Sequence, residues 1–344
     1  MAATRSPRSN PVVALRFDGE VLWALDQTAL PWREHQLELG TAADVAAAIA
    51  RLAIRGAPLI GVAAAYGVAL ELARDPDSLE SACELLRSAR PTAVNLAWAV
   101  DRVRAAVLRS SAERHAAAAL EEARSIHAEE QAASDAMAIA GAELLAASTR
   151  VLTHCNTGAL AAPGRGTALA VLAELADRGS LERVIATESR PLLQGARLTV
   201  YELERLGIAH QLIVDSAAAG LIASGEVDAI VVGCDRVAAN GDVANKVGTY
   251  GLALAADAAR VPFVVVGPTS TIDAECPDGA AIEIEEREAE EVRTAHGKPL
   301  TIAGTSCRNP AFDVTPARLI DALVTERGVA RPVSAKSVAA LLAL

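Results

Sequence analysis

The residues best suited to chemistry lie in Gly233-Cys234-Asp235-Arg236 and in its continuation through Asn240-Gly241-Asp242 to Asn245-Lys246. A carboxyl, side-chain amides and an ammonium in one short run can move a proton and hold an anion. Asp235 in a closed, poorly hydrated site would have its pKa raised, which suits a general acid or base. An Asp paired with Arg236, or one capping a helix, is the alternative. A second group is Thr153-His154-Cys155-Asn156-Thr157-Gly158. Cys155 precedes a helix-like stretch, and a positive helix end lowers a thiol pKa from its usual value of about 8.5. That suits proton transfer; a buried structural cysteine is the alternative. Adjacent side chains of a strand point to opposite faces, so His154 is given a structural role. A third group is Arg55-Gly56-Ala57-Pro58. Glycine frees backbone N–H groups, arginine offers a fork that fits phosphate, and the helix-like Ile60 to Leu72 follows. A plain joint between two helices is the alternative.

These groups need elements to carry them. Val227 to Val232 is a short apolar, β-branched run, the pattern of a strand buried on both faces. Similar runs stand at Arg150–Thr153, Arg183–Ala186, Ala209–Val214 and Pro262–Val266. Helical stretches separate them, at Thr167–Asp177, Gln194–Leu206, Ala217–Ser224 and Tyr250–Ala259. This alternation predicts βα units and a mostly parallel sheet. Ile282-Glu283-Ile284 is expected to add a strand. Asp235 is expected in a polar loop between strand and helix. The five strand ends carry His154-Cys155-Asn156, Glu188-Ser189-Arg190 with Gln194, Asp215-Ser216, Asp235, and Thr269-Ser270. Together they are expected to form a cleft at the carboxyl edge, where open α/β sheets bind ligands.

The first part reads differently. Val12–Phe17, Glu20–Leu25 and Glu34–Leu39 are strand-like, with the hairpin signal Asp18-Gly19 between the first two. From Ala42 to about Arg150 the pattern is helical and Ala-rich. The expected organisation is a loose tail over residues 1–10, an N-terminal domain of short antiparallel strands and helices over residues 11–130, and a Rossmann-like α/β domain over residues 131–344.

Composition excludes several classes. The chain has 344 residues, a net charge of −11, 52% hydrophobic and 3% aromatic residues. It is long enough for a large core and too apolar to be disordered. An acidic surface repels nucleic-acid phosphates, and aromatic stacking platforms are scarce. Any phosphate site must be local. The five cysteines are scattered without a Cys-x-x-Cys pair, which argues against a disulfide framework or zinc site and suits a reducing cytoplasm. The first residues lack the apolar core of a signal peptide, and no uninterrupted apolar run is long enough to span a membrane.

At these groups the chain resembles the methylthioribose-1-phosphate isomerase family. The resemblance rests on Arg55-Gly56-Ala57-Pro58-Leu59-Ile60-Gly61 with Ala63-Ala64-Ala65-Tyr66-Gly67, on Arg90-Pro91-Thr92-Ala93-Val94-Asn95-Leu96 and on His154 through Leu160. It extends to Thr187 through Pro191 with Gln194 through Thr199, Gly233 through Gly251, Gly267 through Asp273, Ile284 through Arg287 and Asn309 through Pro316. It covers residues 12 to 333. It implies conversion of 5-methylthioribose 1-phosphate to 5-methylthioribulose 1-phosphate in methionine salvage. It further implies a homodimer, no metal, no nucleotide cofactor, and kinship with regulatory subunits of the eukaryotic initiation-factor nucleotide exchanger. By family position Cys155 and Asp235 are the catalytic pair, and Arg55, Gly56, Ala57, Arg90, Gln194, Asn245 and Lys246 bind substrate. Two other readings stay open: an isomerase of another sugar phosphate such as ribose 1,5-bisphosphate, for which the sequence offers no obvious second basic patch, and a non-catalytic regulatory subunit.

Overall fold

A computed structural model describes residues 11–90, 93–295 and 297–343. The expected tail, and Pro91 and Thr92 of one motif, lie outside the described residues. Three short strands open the chain, β1 (Leu15–Phe17), β2 (Leu22–Leu25) and β3 (Gln36–Leu39), paired antiparallel in that order. Five helices follow: α1 (Ala42–Ala50), α2 (Ala57–Arg74), α3 (Leu79–Ser88), α4 (Val94–Leu108) and α5 (His115–Leu144). Gly67 of α2 packs against Leu86 of α3 and Val45 of α1. By length and composition α2 passes for a membrane span, but 83% of it is buried inside the protein. A helix apolar all round is what a core helix needs.

The second half is a seven-stranded sheet in the order β16-β15-β10-β7-β4-β5-β6. Its strands are β4 (Arg150–Thr153), β5 (Arg183–Thr187), β6 (His210–Ile213), β7 (Ala229–Val232), β10 (Phe263–Val266), β15 (Ala322–Thr325) and β16 (Gly328–Ala330). All neighbours are parallel except β15 and β16. Alternate residues serve two cores. Leu152, Ile230, Val232 and Val265 face α8 (Ala218–Ala223), α9 (Thr249–Ala259) and α11 (Ala335–Ala343). Val151, Val231, Val264 and Val266 face α6 (Ala168–Asp177), α7 (Val200–Leu206) and the later turns of α5. That is the two-residue alternation of a strand with both faces covered. Helix α5 joins this core through Met137 and Ala142 and the N-terminal core through Ala119 and Ile126. Residues 130 and 131 fall inside it.

The chain builds β4, β5 and β6 in one direction, then returns to place β7 on the other side of β4. The order reverses between β4 and β7, which is where such sheets open a crevice.

Two expectations are corrected. The segment after β7 is not a polar loop. It is a hairpin of β8 (Arg236–Ala238) and β9 (Val243–Lys246), turning at Asn240-Gly241 with Gly241 at φ 92°. Asn-Gly between apolar alternations is a strong hairpin signal. A second sheet grows from this hairpin in the order β11-β8-β9-β14, with β11 (Ile272–Asp273) and β14 (Phe312–Thr315). Ile282-Glu283-Ile284 forms no strand. Ile282 and Ile284 pack against this second sheet, beside Ala244 and Val314. A two-residue ladder of β12 (Thr294–Ala295) with β13 (Lys298–Pro299), preceded by α10 (Glu290–Arg293), completes the elements.

Candidate active site

Cys155 follows β4 and Asp235 follows β7, so the two flank the reversal point. Both line one cavity of about 260 Å³, as do Arg55, Gly56, Arg90, Gln194 and Lys246. Seven of the nine expected site residues therefore meet in one space. Ala57, the first residue of α2, lines a small adjoining recess with Arg90 and Asp235. Asn245 does not line the cavity. It alternates with Lys246 along β9, is buried, and its Nδ2 donates to Thr249 Oγ1 at 2.9 Å.

The convergence of five strand ends is narrower than expected. Those of β4, β5 and β7 supply cavity residues. After β6, Asp215 accepts the N–H groups of Ser189 and Arg190, both at 2.7 Å. After β10, Ser270 accepts from Asn95 and donates to Glu130. These ends fasten loops and helices instead.

The backbone around Cys155 is held in an unfavourable shape. Cys155, Ser189, Leu193 and Leu52 take φ of 64°, 61°, 58° and 63°. Each costs about 1–3 kcal/mol and persists only where surroundings enforce it. Here Ser189 Oγ accepts the Cys155 N–H at 2.8 Å, and Thr199 Oγ1 donates to the Cys155 carbonyl at 2.6 Å. The strand has ended at Thr153, so this turn rather than strand alternation aims the thiol. His154 is 2% exposed and tied on both ring nitrogens, to Thr187 Oγ1 at 2.6 Å and the Val247 carbonyl at 2.9 Å. Burial pushes its pKa down, which keeps the ring neutral and agrees with a structural role.

The Asp235 carboxyl makes no hydrogen bond or ion pair among the described residues, while its N–H donates to the Ala244 carbonyl at 2.9 Å, and Arg236 pairs with Asp273 at 3.7 Å. Burial raises the Asp235 pKa, against the pull of Arg90, Lys246 and Arg55. An upward shift brings a carboxyl closer to serving as both acid and base. Lys246 is 6% exposed and has no ion pair among the described residues. Its Nζ rests 5.2 Å from the Phe312 ring, and the Arg90 guanidinium lies 5.8 Å from the same ring. Burial lowers the Lys246 pKa, while Cys155 and Asp235 hold it up. A buried cation without a fixed counter-charge is costly, and a bound anion supplies that charge.

Arg55 is aimed from the second half of the chain. Its guanidinium donates to Asn156 Oδ1 at 2.5 Å and to the Asn156 carbonyl at 3.1 Å. Asn156 in turn donates to Glu202, whose burial pushes its pKa up to about 7. Gly56 has φ 96°, and a side chain there would meet the Ala161 backbone at 2.4 Å. Only glycine lets α2 start this close to the loop after β4. Among the described residues the N–H groups of Gly56 and Ala57 have no partner, so α2 presents an open anion-binding end.

Sequence reasoning missed Gln27, Leu52, Leu192 and Phe312 in the cavity wall, and the cations Arg51, Arg197 and Arg287. The extra cations are engaged. Arg51 pairs with Asp26, Arg287 with Glu285 and Glu291, and Arg197 donates to the carbonyls of Gln27 and Leu30. Arg197, Arg287 and Phe312 stood inside the quoted motifs; their runs were the available signal.

A mostly parallel sheet whose reversal point holds a thiol, a carboxyl and a cluster of cations around one cavity defines a small-molecule enzyme site for a phosphorylated substrate. The match extends to whole chains. Residues 53–332 match the model of the Initiation factor 2 subunit family. A protein of Anaeromyxobacter sp. (strain K), named methylthioribose-1-phosphate isomerase, is 53% identical over 319 residues, covering 92% of this chain and 93% of its own. The crystal structure of 5-methylthioribose 1-phosphate isomerase from Pyrococcus horikoshii OT3 superposes with a TM-score of 0.89 at 38% identity, over 99% of this chain and 97% of that one. The crystal structure of translation initiation factor eIF-2B, subunit delta, from A. fulgidus gives 0.85 at 37% identity, over 97% and 100%. The chain belongs to the Initiation factor 2 subunit family.

Proposed function

We propose that this cavity isomerises 5-methylthio-D-ribose 1-phosphate to 5-methylthio-D-ribulose 1-phosphate, the aldose–ketose step of methionine salvage. The observation that carries this reading is the meeting of Cys155 and Asp235, from adjacent strands, in a cavity that also holds Arg55, Arg90 and Lys246. The names of the relatives above agree with it.

Arg55, Arg90 and Lys246 take the phosphate dianion, with the open N–H groups of Gly56 and Ala57. The phosphate stays on C1, so the ring opens without a free aldehyde. A proton reaches the ring oxygen and the C1–ring oxygen bond breaks. The C2 proton leaves, giving an enol phosphate with a C1–C2 double bond. The C2 hydroxyl then loses its proton as C1 gains one, and the ketose results. Cys155 and Asp235 are the groups that hold and return these protons in a site largely closed to water. Gln194 faces the same space. Ala50, Leu52, Leu192 and Leu198 supply an apolar wall that suits an uncharged C5 substituent. A second phosphate at C5 would sit against that apolar wall, which disfavours ribose 1,5-bisphosphate. A purely regulatory subunit has no need of the enforced geometry at Cys155.

The chain is further proposed to act as a cytoplasmic homodimer, without nucleic acid or membrane as partner. Its cysteines are free, and the edge strand β6 exposes Leu212, with Val214 just beyond it, at 48% and 53%. A turnover assay tests the activity. Purified protein in excess chelator is expected to convert the substrate at an unchanged rate. Activity lost in chelator and restored by zinc or magnesium overturns the metal-free part, and no turnover in any buffer overturns the isomerase reading.

A further inference from the structure

Gln27 lies just after β2, is 2% exposed, and forms part of the cavity wall. Nearly all of its polar atoms are engaged. Its N–H donates to the Ala53 carbonyl at 3.0 Å, its carbonyl accepts from Arg197 at 2.7 Å, and Nε2 donates to the Leu160 carbonyl at 2.7 Å. A carbonyl only accepts, so the Leu160 contact fixes which end of the amide is nitrogen. Oε1 is left, and it has no partner. Gln194 shows the same defect in the same cavity: it is 6% exposed and its Oε1 has no partner. A buried acceptor left unpaired is costly, and two of them in residues of one wall point to donors on the ligand.

We propose that Gln27 is a specificity-determining residue whose side-chain oxygen accepts a hydrogen bond from the C3 hydroxyl of the sugar. The inference rests on the isomerase reading above. In the closed ring only the C2 and C3 hydroxyls are free to donate. The C2 hydroxyl must lose its proton as the ketone forms, which calls for a basic partner. The C3 hydroxyl keeps its proton throughout, and a neutral amide oxygen serves it. Ring opening creates one more donor at C4, for which Gln194 Oε1 remains. A site that satisfies a buried acceptor with a substrate hydroxyl discriminates strongly against the analogue lacking it.

The test compares 5-methylthioribose 1-phosphate with its 3-deoxy analogue. The wild-type enzyme is expected to lose kcat/KM on the order of 10- to 100-fold on the analogue. Gln27→Leu is expected to lose a similar factor on the natural substrate and to treat both sugars alike within about threefold. A merely structural role for Gln27 would lower both activities together and leave their ratio intact. Two results overturn the proposal: a wild type that accepts the analogue within threefold, or a folded Gln27→Leu that keeps the wild-type ratio. Should Gln27→Leu not fold, a crystal of the wild type with the ketose product decides. The C3 hydroxyl is expected at hydrogen-bond distance from Oε1, and its absence there overturns the assignment. A wild type that turns over neither sugar brings down the isomerase reading itself, whereas normal turnover with an unmoved ratio brings down Gln27 alone.

Discussion

Cys155→Ser and Asp235→Asn are each expected to lower kcat on the order of 10²- to 10⁴-fold, and the double variant to fall little further. The two residues sit at the ends of adjacent strands and line one cavity. Groups that pass protons to one substrate act as a unit, so removing the second costs little once the first is gone. Both changes are nearly isosteric, and the turn at Cys155 is held through its main chain, which serine preserves. Folding should therefore survive, and melting temperatures check it. Serine also separates two chemistries. Its hydroxyl is far less acidic than a thiol, so a proton relay through Cys155 fails with Ser. A hydride shift, with Cys155 only shaping the site, tolerates it. Near-normal kcat in both single variants means that the active site lies elsewhere.

Arg55→Ala is expected to lower kcat/KM on the order of 10- to 100-fold, mostly through a raised KM. Arginine carries five N–H donors, and the contacts to Asn156 use two. The remaining donors and the charge are available to the phosphate. The net charge of −11 offers no diffuse attraction for a dianion, so the loss of one local cation is felt in full. Binding of 5-methylthioribose without its phosphate serves as the control and should barely change. An unchanged KM for the phosphorylated substrate would reduce Arg55 to a tie between α2 and the loop after β4.

The parts of this fold that follow a simple period were legible in the sequence. Buried strands β4, β7 and β10 are short, mostly apolar runs rich in β-branched residues, and the helical part from α1 to α5 is Ala-rich and punctuated by Gly and Pro. The polar residues after β4 and β7 pointed to the cavity because strand ends are where α/β sheets bind ligands. The hairpin β8–β9 was hidden by its polar residues, although Asn240-Gly241 marked its turn. Strand β14 was missed because its pairing with β9 is non-local. Phe312 becomes meaningful only when β14 lays it against Lys246. Gln27 was invisible for a similar reason. Its sequence neighbours suggest a turn, while the atoms that fix it belong to Ala53, Leu160 and Arg197. Asn245 differs. It lies next to Lys246 in sequence, and strand alternation turns it away from the cavity.

A crystal structure with the ketose product bound bears most directly on how these groups work together. The phosphate is expected among Arg55, Arg90 and Lys246 at the start of α2, with C1 and C2 between the Cys155 thiol and the Asp235 carboxyl. A phosphate bound elsewhere, or reacting carbons out of reach of both groups, would contradict the assignment of this cavity as the site of isomerisation.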